Sequence, residues 1–462
     1  MTKGKIILEA KLELLSPLQI GSGRSDSSDK DVLLDAEEHP YIPGSSFIGK
    51  LNAEMNDREF SKYIGIYNSQ DKDVSQSRLI IDDLVLAGKS DFNVSIRDGI
   101  RINNKDGIVE DRHKFDYQVV EPGLCFALNM EFDVPDNGKL EQVKGWIKKI
   151  SGMLNSSFFV GARSSSGGGE LKAIENGIKV MCYPFDDQGA VIDYLLQKPR
   201  PNCTELIGSA AAAENDFIIE ADFHIPSSLI VRSYSKDPTD SDASHLTSND
   251  KPVLPGSSLR GALRARAQRI VNLRWGEVQE AKDFIHLLFG WVDTKPENSR
   301  TIPSSLMVNE VEIKNVTSEL QNRVKIDRFT GGTVTTDGAL FDSMPLFPCN
   351  NDDAQIEGLR LSIKDALPSQ KGLLLLLLKD LYTRDLAIGG EKNVGRGCLE
   401  GIRHRVWDEG KEYTDVFNPD NVGAEELDKY VQALVNKEDK VEVEARLQKY
   451  KSNKGGKDVS DQ

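Results

Sequence analysis

Apolar and polar residues alternate strictly at two places in the chain. Leu8, Ala10, Leu12 and Leu14 alternate with Glu9, Lys11 and Glu13, and Ile219, Ala221, Phe223 and Ile225 alternate with Glu220, Asp222 and His224. A period of two sends one set of side chains to each face of a strand, so both segments predict half-buried strands. Residues 6–22 (IILEAKLELLSPLQIGS) also lie over residues 217–233 (FIIEADFHIPSSLIVRS) without a gap. Glu9 falls on Glu220, Leu18 on Leu229 and Ser22 on Ser233, an offset of 211 residues. A repeat of this length marks two copies of one structural unit.

The correspondence continues downstream. Pro40-Tyr41-Ile42-Pro43-Gly44-Ser45-Ser46 matches Pro252-Val253-Leu254-Pro255-Gly256-Ser257-Ser258 at offset 212, and Arg101 matches Lys325 at 224. Phe115-Asp116 matches Phe341-Asp342 at 226, and the glycine loop from Gly161 to Gly169 matches that from Gly389 to Gly397 at 228. A slowly growing offset means the same order of elements with small insertions in the second copy. Small N-capping residues stand directly before apolar spacing at Gly44-Ser45-Ser46 and Gly256-Ser257-Ser258, predicting helices that run to about Met55 and Val271. Further helices are predicted over 140–154 and 372–386, each leading into a glycine loop. Two β-α-β halves with intervening hairpins describe an α+β, ferredoxin-like (RRM-like) domain, present twice. The expected boundaries are a first domain over 1–200, a linker over 201–216, a second domain over 217–405 and a charged extension over 406–462. That extension, with Glu425-Glu426, Glu438-Asp439 and Glu442, reads as a charged helix or a disordered appendage.

Composition narrows the class. The chain has 462 residues, enough for two or three domains, and is 39% hydrophobic, enough for a core in each. The longest apolar run, residues 373–378, falls far short of a membrane span, and no export signal is visible, so neither a membrane partner nor secretion is expected. Cys125, Cys182, Cys203, Cys349 and Cys398 are scattered without CxxC spacing, which fits a reducing cytoplasm and argues against both disulfides and structural zinc. A formal charge of -15 argues at face value against nucleic acid. The cations, however, concentrate in the repeated loops.

Those loops carry the candidate chemistry. A helix opening on Gly-Ser-Ser offers unpaired N–H groups and a positive dipole end to an anion, with Lys50 or Arg260 close behind and Arg264 a turn further on. The glycine loops can curve around a phosphate backbone with amides inward, helped by Gly167, Gly168 and Arg163 in the first copy and by Lys392, Gly395 and Arg396 in the second. Residues 97–117 and 323–342 predict projecting hairpins. Arg97, Arg101, Lys105, Lys325 and Arg328 would meet phosphates there, and Phe115 or Phe329 would meet bases. Singly, each element is equally a plain cap, turn or surface hairpin. Together, in duplicated order, they point to an extended polyanion.

Three aspartates of the first loop, Asp26, Asp29 and Asp31, fall on Asp237, Asp240 and Asp242 at offset 211. A carboxylate beside an RNA phosphate is costly unless it binds a divalent cation or takes a proton from a 2′-hydroxyl, the roles that metal-assisted RNA cleavage requires. Asp29 and Asp240 are the candidate metal ligands, with Asp31, Asp26 and Asp242 as rivals for catalysis. His245 and His39 do not align, which disfavours acid-base chemistry by paired histidines.

The PxIPGSSxxGxL run, the hairpins IRINNKDG and VKIDRFTGG, and the loops GARSSSGGGEL and GGEKNVGRG resemble the backbone RAMP proteins of type III CRISPR effector complexes. Two fused units look most like the tandem backbone subunit of a type III-D effector. The resemblance covers nearly all of residues 5–405. It implies that each unit grips the guide-RNA backbone and that its thumb hairpin kinks the guide–target duplex. It further implies that a loop aspartate cleaves the complementary target RNA with Mg2+ or another divalent cation. The implied partners are guide RNA, target RNA and other type III effector subunits, including the large signalling subunit. The family's catalytic Asp is followed six residues later by a second, which fits Asp29 with Asp35; no acid stands six residues after Asp240. A purely structural filament subunit is the alternative.

Overall fold

Strand Thr2–Leu14 runs through the middle of a six-stranded sheet, antiparallel to Cys125–Pro135 on one side and Glu170–Pro184 on the other. The computed structural model describes residues 2–23, 29–65, 76–88, 91–102, 109–135, 139–210, 216–234, 241–292, 301–334, 340–349, 354–418 and 422–451. Leu8, Leu12 and Leu14 are fully buried on one face of the central strand, where Phe47 and Leu51 of helix Gly44–Met55 and Ile147, Ile150 and Leu154 of helix Leu140–Ser156 pack on them. Each such side chain contributes roughly 1.5–3 kcal/mol on leaving water.

The second unit repeats the plan. Strand Asp216–His224 is flanked antiparallel by Gln355–Lys364 and Glu400–Asp408 in an eight-stranded sheet, with helices Gly256–Trp275 and Pro368–Tyr382 in its core. The latter helix starts four residues earlier than its apolar run predicts, because Pro368 opens the first turn and the Gln370 side chain accepts the N–H of Leu367 at 3.0 Å. The central strand is not half-exposed here. Asp222, on its polar face, is buried, accepting the Gly358 N–H at 2.7 Å and pairing with Arg403.

The boundary expected at residue 405 falls inside strand Glu400–Asp408, and residues 406–451 are not a separate extension. Strand Lys411–Thr414 adds to the sheet edge, and helices Val422–Asn436 and Lys440–Lys451 cover the second unit with Leu427, Tyr430, Leu434, Val443 and Leu447, all buried. A polar lock holds them. Lys371 Nζ lies 2.6 Å from Asp408, whose other oxygen accepts the Tyr430 hydroxyl, while Trp275 Nε1 donates to Leu434 O at 2.9 Å. The expected linker is likewise partly structured. Gly208 N–H donates to Ser151 Oγ at 2.8 Å, seating residues 202–209 on the first unit.

The units dock directly. Arg97, on hairpin strand Val94–Ile102 of the first unit, places Nη1 2.6 Å from Glu310 of the second and lies 3.7 Å from Glu121. Glu121 also accepts the hydroxyls of Ser95 and Ser248. The first unit's glycine loop presses on the second unit: Gly167, at φ +82°, has no room for a Cβ against Glu310 N, and Gly256 has none against Ser166 O. Only glycine permits that approach.

Candidate nucleic-acid interface

Each unit brings its acidic loop to the base of its hairpin. In the first, Asp29 N–H donates to Asp116 Oδ1 at 2.9 Å and Asp116 N–H donates back to Asp29 Oδ2 at 3.3 Å. In the second, Asp342 N–H donates to Asp242 Oδ2 at 3.0 Å. Asp116 and Asp342 are repeat partners, so the structural counterpart of Asp29 is Asp242, at offset 213. The strand register agrees: Gly21 pairs with Val32, and Arg232, its repeat partner, pairs with His245. The expected pairings of Asp29 with Asp240 and of Asp31 with Asp242 are therefore corrected, since the second loop carries extra residues ahead of Asp242. Asp31 is matched by Ser244. Asp26, Asp240 and Lys105, and the side chain of Arg101, lie outside the described residues. Asp35 shapes a turn, its carboxylate accepting the N–H groups of Glu37 and His39.

A cation stands over the hairpin aromatic in both units, delivered from different chain positions. Arg163 Cζ lies 5.2 Å from the Phe115 ring and 3.7 Å from that of Tyr117, with Lys30 Nζ 5.9 Å from Phe115. Burial pulls Arg163 below the usual arginine range, which favours an anion partner. In the second unit the matching loop position is Glu391. That carboxylate gathers Arg232 at 3.1 Å, Arg396 at 2.8 Å and Arg323, and Arg232 then covers Phe341 at 5.1 Å. Three guanidinium groups around one carboxylate leave the cluster net positive. Burial raises Glu391, but its hydrogen bonds to Arg232 and Arg396 outweigh this and hold it below the ordinary glutamate range.

Several expected RNA contacts have other work. Arg97 is buried in the inter-unit lock; burial opposes its charge, and Glu310 and Glu121 outweigh burial to raise it. Arg396 is also buried, bonded to Glu391, Ser228 and Gln321. Arg260 and Arg264 donate to the carbonyls of Phe289 and Gly290 at the end of helix Gln279–Phe289, the usual place for cations near a helix carboxyl end. Lys50 pairs with Glu54 at 2.6 Å. The amide of Gly44 is taken by Asp83 Oδ1 at 2.8 Å, so the first unit fills that anion seat with its own carboxylate. Ser45, Ser46 and Ser257 remain exposed and Ser258 half-buried.

Both expected hairpins form. Val94–Ile102 pairs with Val109–Val120, and Gln321–Val324 with Leu340–Met344. At the second tip Asp327 accepts the N–H groups of Phe329 and Thr330, leaving Lys325, Arg328 and a fully exposed Phe329 facing outward. Lys392 is exposed beside Gly395 on the second glycine loop. A small cleft of about 30 Å³ lies where the units meet, lined by Gln19, Arg163, Gly167, Gly168, Gly256 and Ser257. Gln19 Nε2 and Arg97 Nε, both buried, face no acceptor among the described residues. Sequence reasoning missed Gln19, Glu310 and Glu391, because each acts through a partner distant in the chain.

His245 is buried, taking the Val231 N–H on Nδ1 at 3.2 Å and lying 2.9 Å from Val253 O through Nε2; burial pushes it down to about 4. It is a core residue and offers no acid-base group to a substrate. Among the described residues, no helix is long and apolar enough to cross a membrane.

Duplicated α+β units with aligned hairpins, glycine loops and buried cross-unit contacts define a protein of two tandem modules. The chain belongs to the RAMP superfamily, whose family model matches residues 11–172 and 207–400, one match in each unit. Membership makes it a CRISPR-associated RNA-binding subunit with RNA and other components of the complex as partners. No curated protein matches the chain significantly.

Proposed function

We propose that this chain is a guide-RNA-binding backbone subunit of a type III effector, most similar to the tandem subunit of type III-D, and that it cleaves the paired target RNA at Asp29 and Asp242. We read each unit as a ferredoxin-like domain with a thumb hairpin. The observation that carries the proposal is the repeated geometry: in two units whose loop sequences have diverged, one aspartate is returned to the same hairpin N–H. That bond orients the carboxylate and, among the described residues, leaves its other oxygen for chemistry. Arg163 and Lys30 in one unit, and Arg232 in the other, offset the repulsion between that carboxylate and an RNA phosphate. Asp29 and Asp116 put two carboxylates at one place, which suits magnesium, an ion that takes one or two carboxylates with phosphate oxygens and water. Such an ion, when bound, would neutralise charge on the scissile phosphate. The carboxylate oxygen of Asp29 or Asp242 can accept the proton of a 2′-hydroxyl.

A second reading is favoured by the same hydrogen bonds. Capping a hairpin N–H is reason enough to hold an aspartate in both units, with no chemistry at all. Asparagine separates the two, because it keeps the accepting oxygen and loses the charge. The double variant Asp29→Asn/Asp242→Asn in the reconstituted complex, assayed on complementary RNA with magnesium and with chelator, should bind target normally and lose cleavage. Retained cleavage would assign these residues to structure alone.

A further inference from the structure

The connection between the units begins at two thiols in contact. Cys182 sits near the end of strand Glu170–Pro184, and Cys203 lies in the segment that leaves the first unit. Their sulfurs are 3.0 Å apart. Both backbones are fixed: Cys203 N–H donates to Val180 O at 2.7 Å, Val180 N–H donates to Asn202 Oδ1 at 2.8 Å, and Met181 bridges Asn202. Beyond Cys203 the chain is held by buried Leu206 and by Gly208, whose carbonyl accepts Asn155 Nδ2 at 2.8 Å. A disulfide needs its sulfurs at about 2.05 Å, so the pair must close by roughly one ångström, within side-chain reach. All five cysteines are partly exposed, so exposure does not single these two out. Proximity does.

We propose that Cys182 and Cys203 are a redox pair that closes to an intramolecular disulfide on meeting a low-molecular-weight disulfide such as oxidised glutathione, fastening the inter-unit connection to the first unit's sheet. Cys203 reacts first, since burial and the neighbouring thiol push Cys182 up to about 12 and keep it protonated. The Cys203 thiolate attacks one glutathione sulfur, forming a mixed disulfide and releasing a glutathione thiolate that takes up the proton Cys203 gave up. Cys182 then loses its proton and attacks Cys203 Sγ, forming the protein disulfide and releasing the second glutathione. The protein is oxidised by two electrons, and oxidised glutathione is reduced to two thiols. The bond closes residues 182–203 into a ring that contains helix Gln188–Leu195.

The test treats the full chain with oxidised glutathione, traps free thiols by alkylation, and reads intact mass and peptide map, alongside Cys182→Ser and Cys203→Ser. The expected result is loss of two hydrogens per chain and a peptide cross-linked between 182 and 203. Dithiothreitol should reverse it, each serine variant should lack it, and Cys125, Cys349 and Cys398 should still be free. The proposal is overturned by no reaction at the pair, by a glutathione adduct that persists on either cysteine, or by a cross-link between chains or to another cysteine.

Discussion

Replacing Arg97 by leucine should uncouple the two units. Arg97 is 5% exposed and bridges Glu310 of the second unit and Glu121 of its own, so its loss leaves the buried Glu121 and the part-buried Glu310 without their cation. Breaking one side of a buried ion pair costs about 3–5 kcal/mol, whereas replacing both sides with apolar residues is often near neutral. At about 1.4 kcal/mol per factor of ten, the docked arrangement should weaken ~100-fold or more. Glu121 keeps the hydroxyls of Ser95 and Ser248, which sets the expectation at the lower end of that range. Urea unfolding followed by tryptophan fluorescence resolves the effect, because Trp146 reports on the first unit and Trp275, Trp291 and Trp407 on the second. Arg97→Leu should split or broaden the transition toward two separate units, and the double variant Arg97→Leu/Glu310→Leu should recover about 2 kcal/mol or more in a double-mutant cycle. If Arg97→Leu unfolds at the wild-type urea concentration with an unchanged slope, the lock contributes nothing and the reasoning fails.

Three further outcomes follow from the packing. Asp408→Ala strands Lys371 and Tyr430 in the core and should cost about 3–5 kcal/mol, read in urea, if residues 422–451 are integral to the second unit. Gly256→Ala should destabilise by forcing a Cβ onto Ser166 O and Val308 O, while Gly261→Ala, in the same helix with open space around it, should stabilise by roughly 0.5–1 kcal/mol. His245 has a folded value of about 4 against an ordinary 6.5, so its contribution is complete above pH 6.5 and is lost as pH falls towards 4. That is ~3 kcal/mol between pH 7 and 4, and His245→Gln should flatten the stability profile over that window.

The duplicated architecture was legible because strand alternation and turn residues are local signals, and the small offsets preserved their order. The partners of the charges were not. Arg97 and Arg396 look like RNA contacts in the sequence, but Glu310 stands 213 residues from Arg97 and Ser228 168 residues from Arg396, and only the fold brings them together. The acidic composition after residue 406 hid a helical stripe of Leu427, Tyr430 and Leu434, spaced three and four apart and buried. A constant offset also misassigned the second acidic loop. Sequence cannot say where inside a diverged loop the extra residues lie, whereas a hairpin N–H marks the position.

That reassignment carries the central claim, and single-substitution mapping of target cleavage tests it most directly. End-labelled complementary RNA is incubated with the magnesium-loaded complex bearing Asp29→Asn, Asp240→Asn or Asp242→Asn. The account predicts that Asp29→Asn and Asp242→Asn each remove a different cut while target binding holds, and that Asp240→Asn leaves the pattern intact. Loss of the second cut in Asp240→Asn with its survival in Asp242→Asn would contradict it.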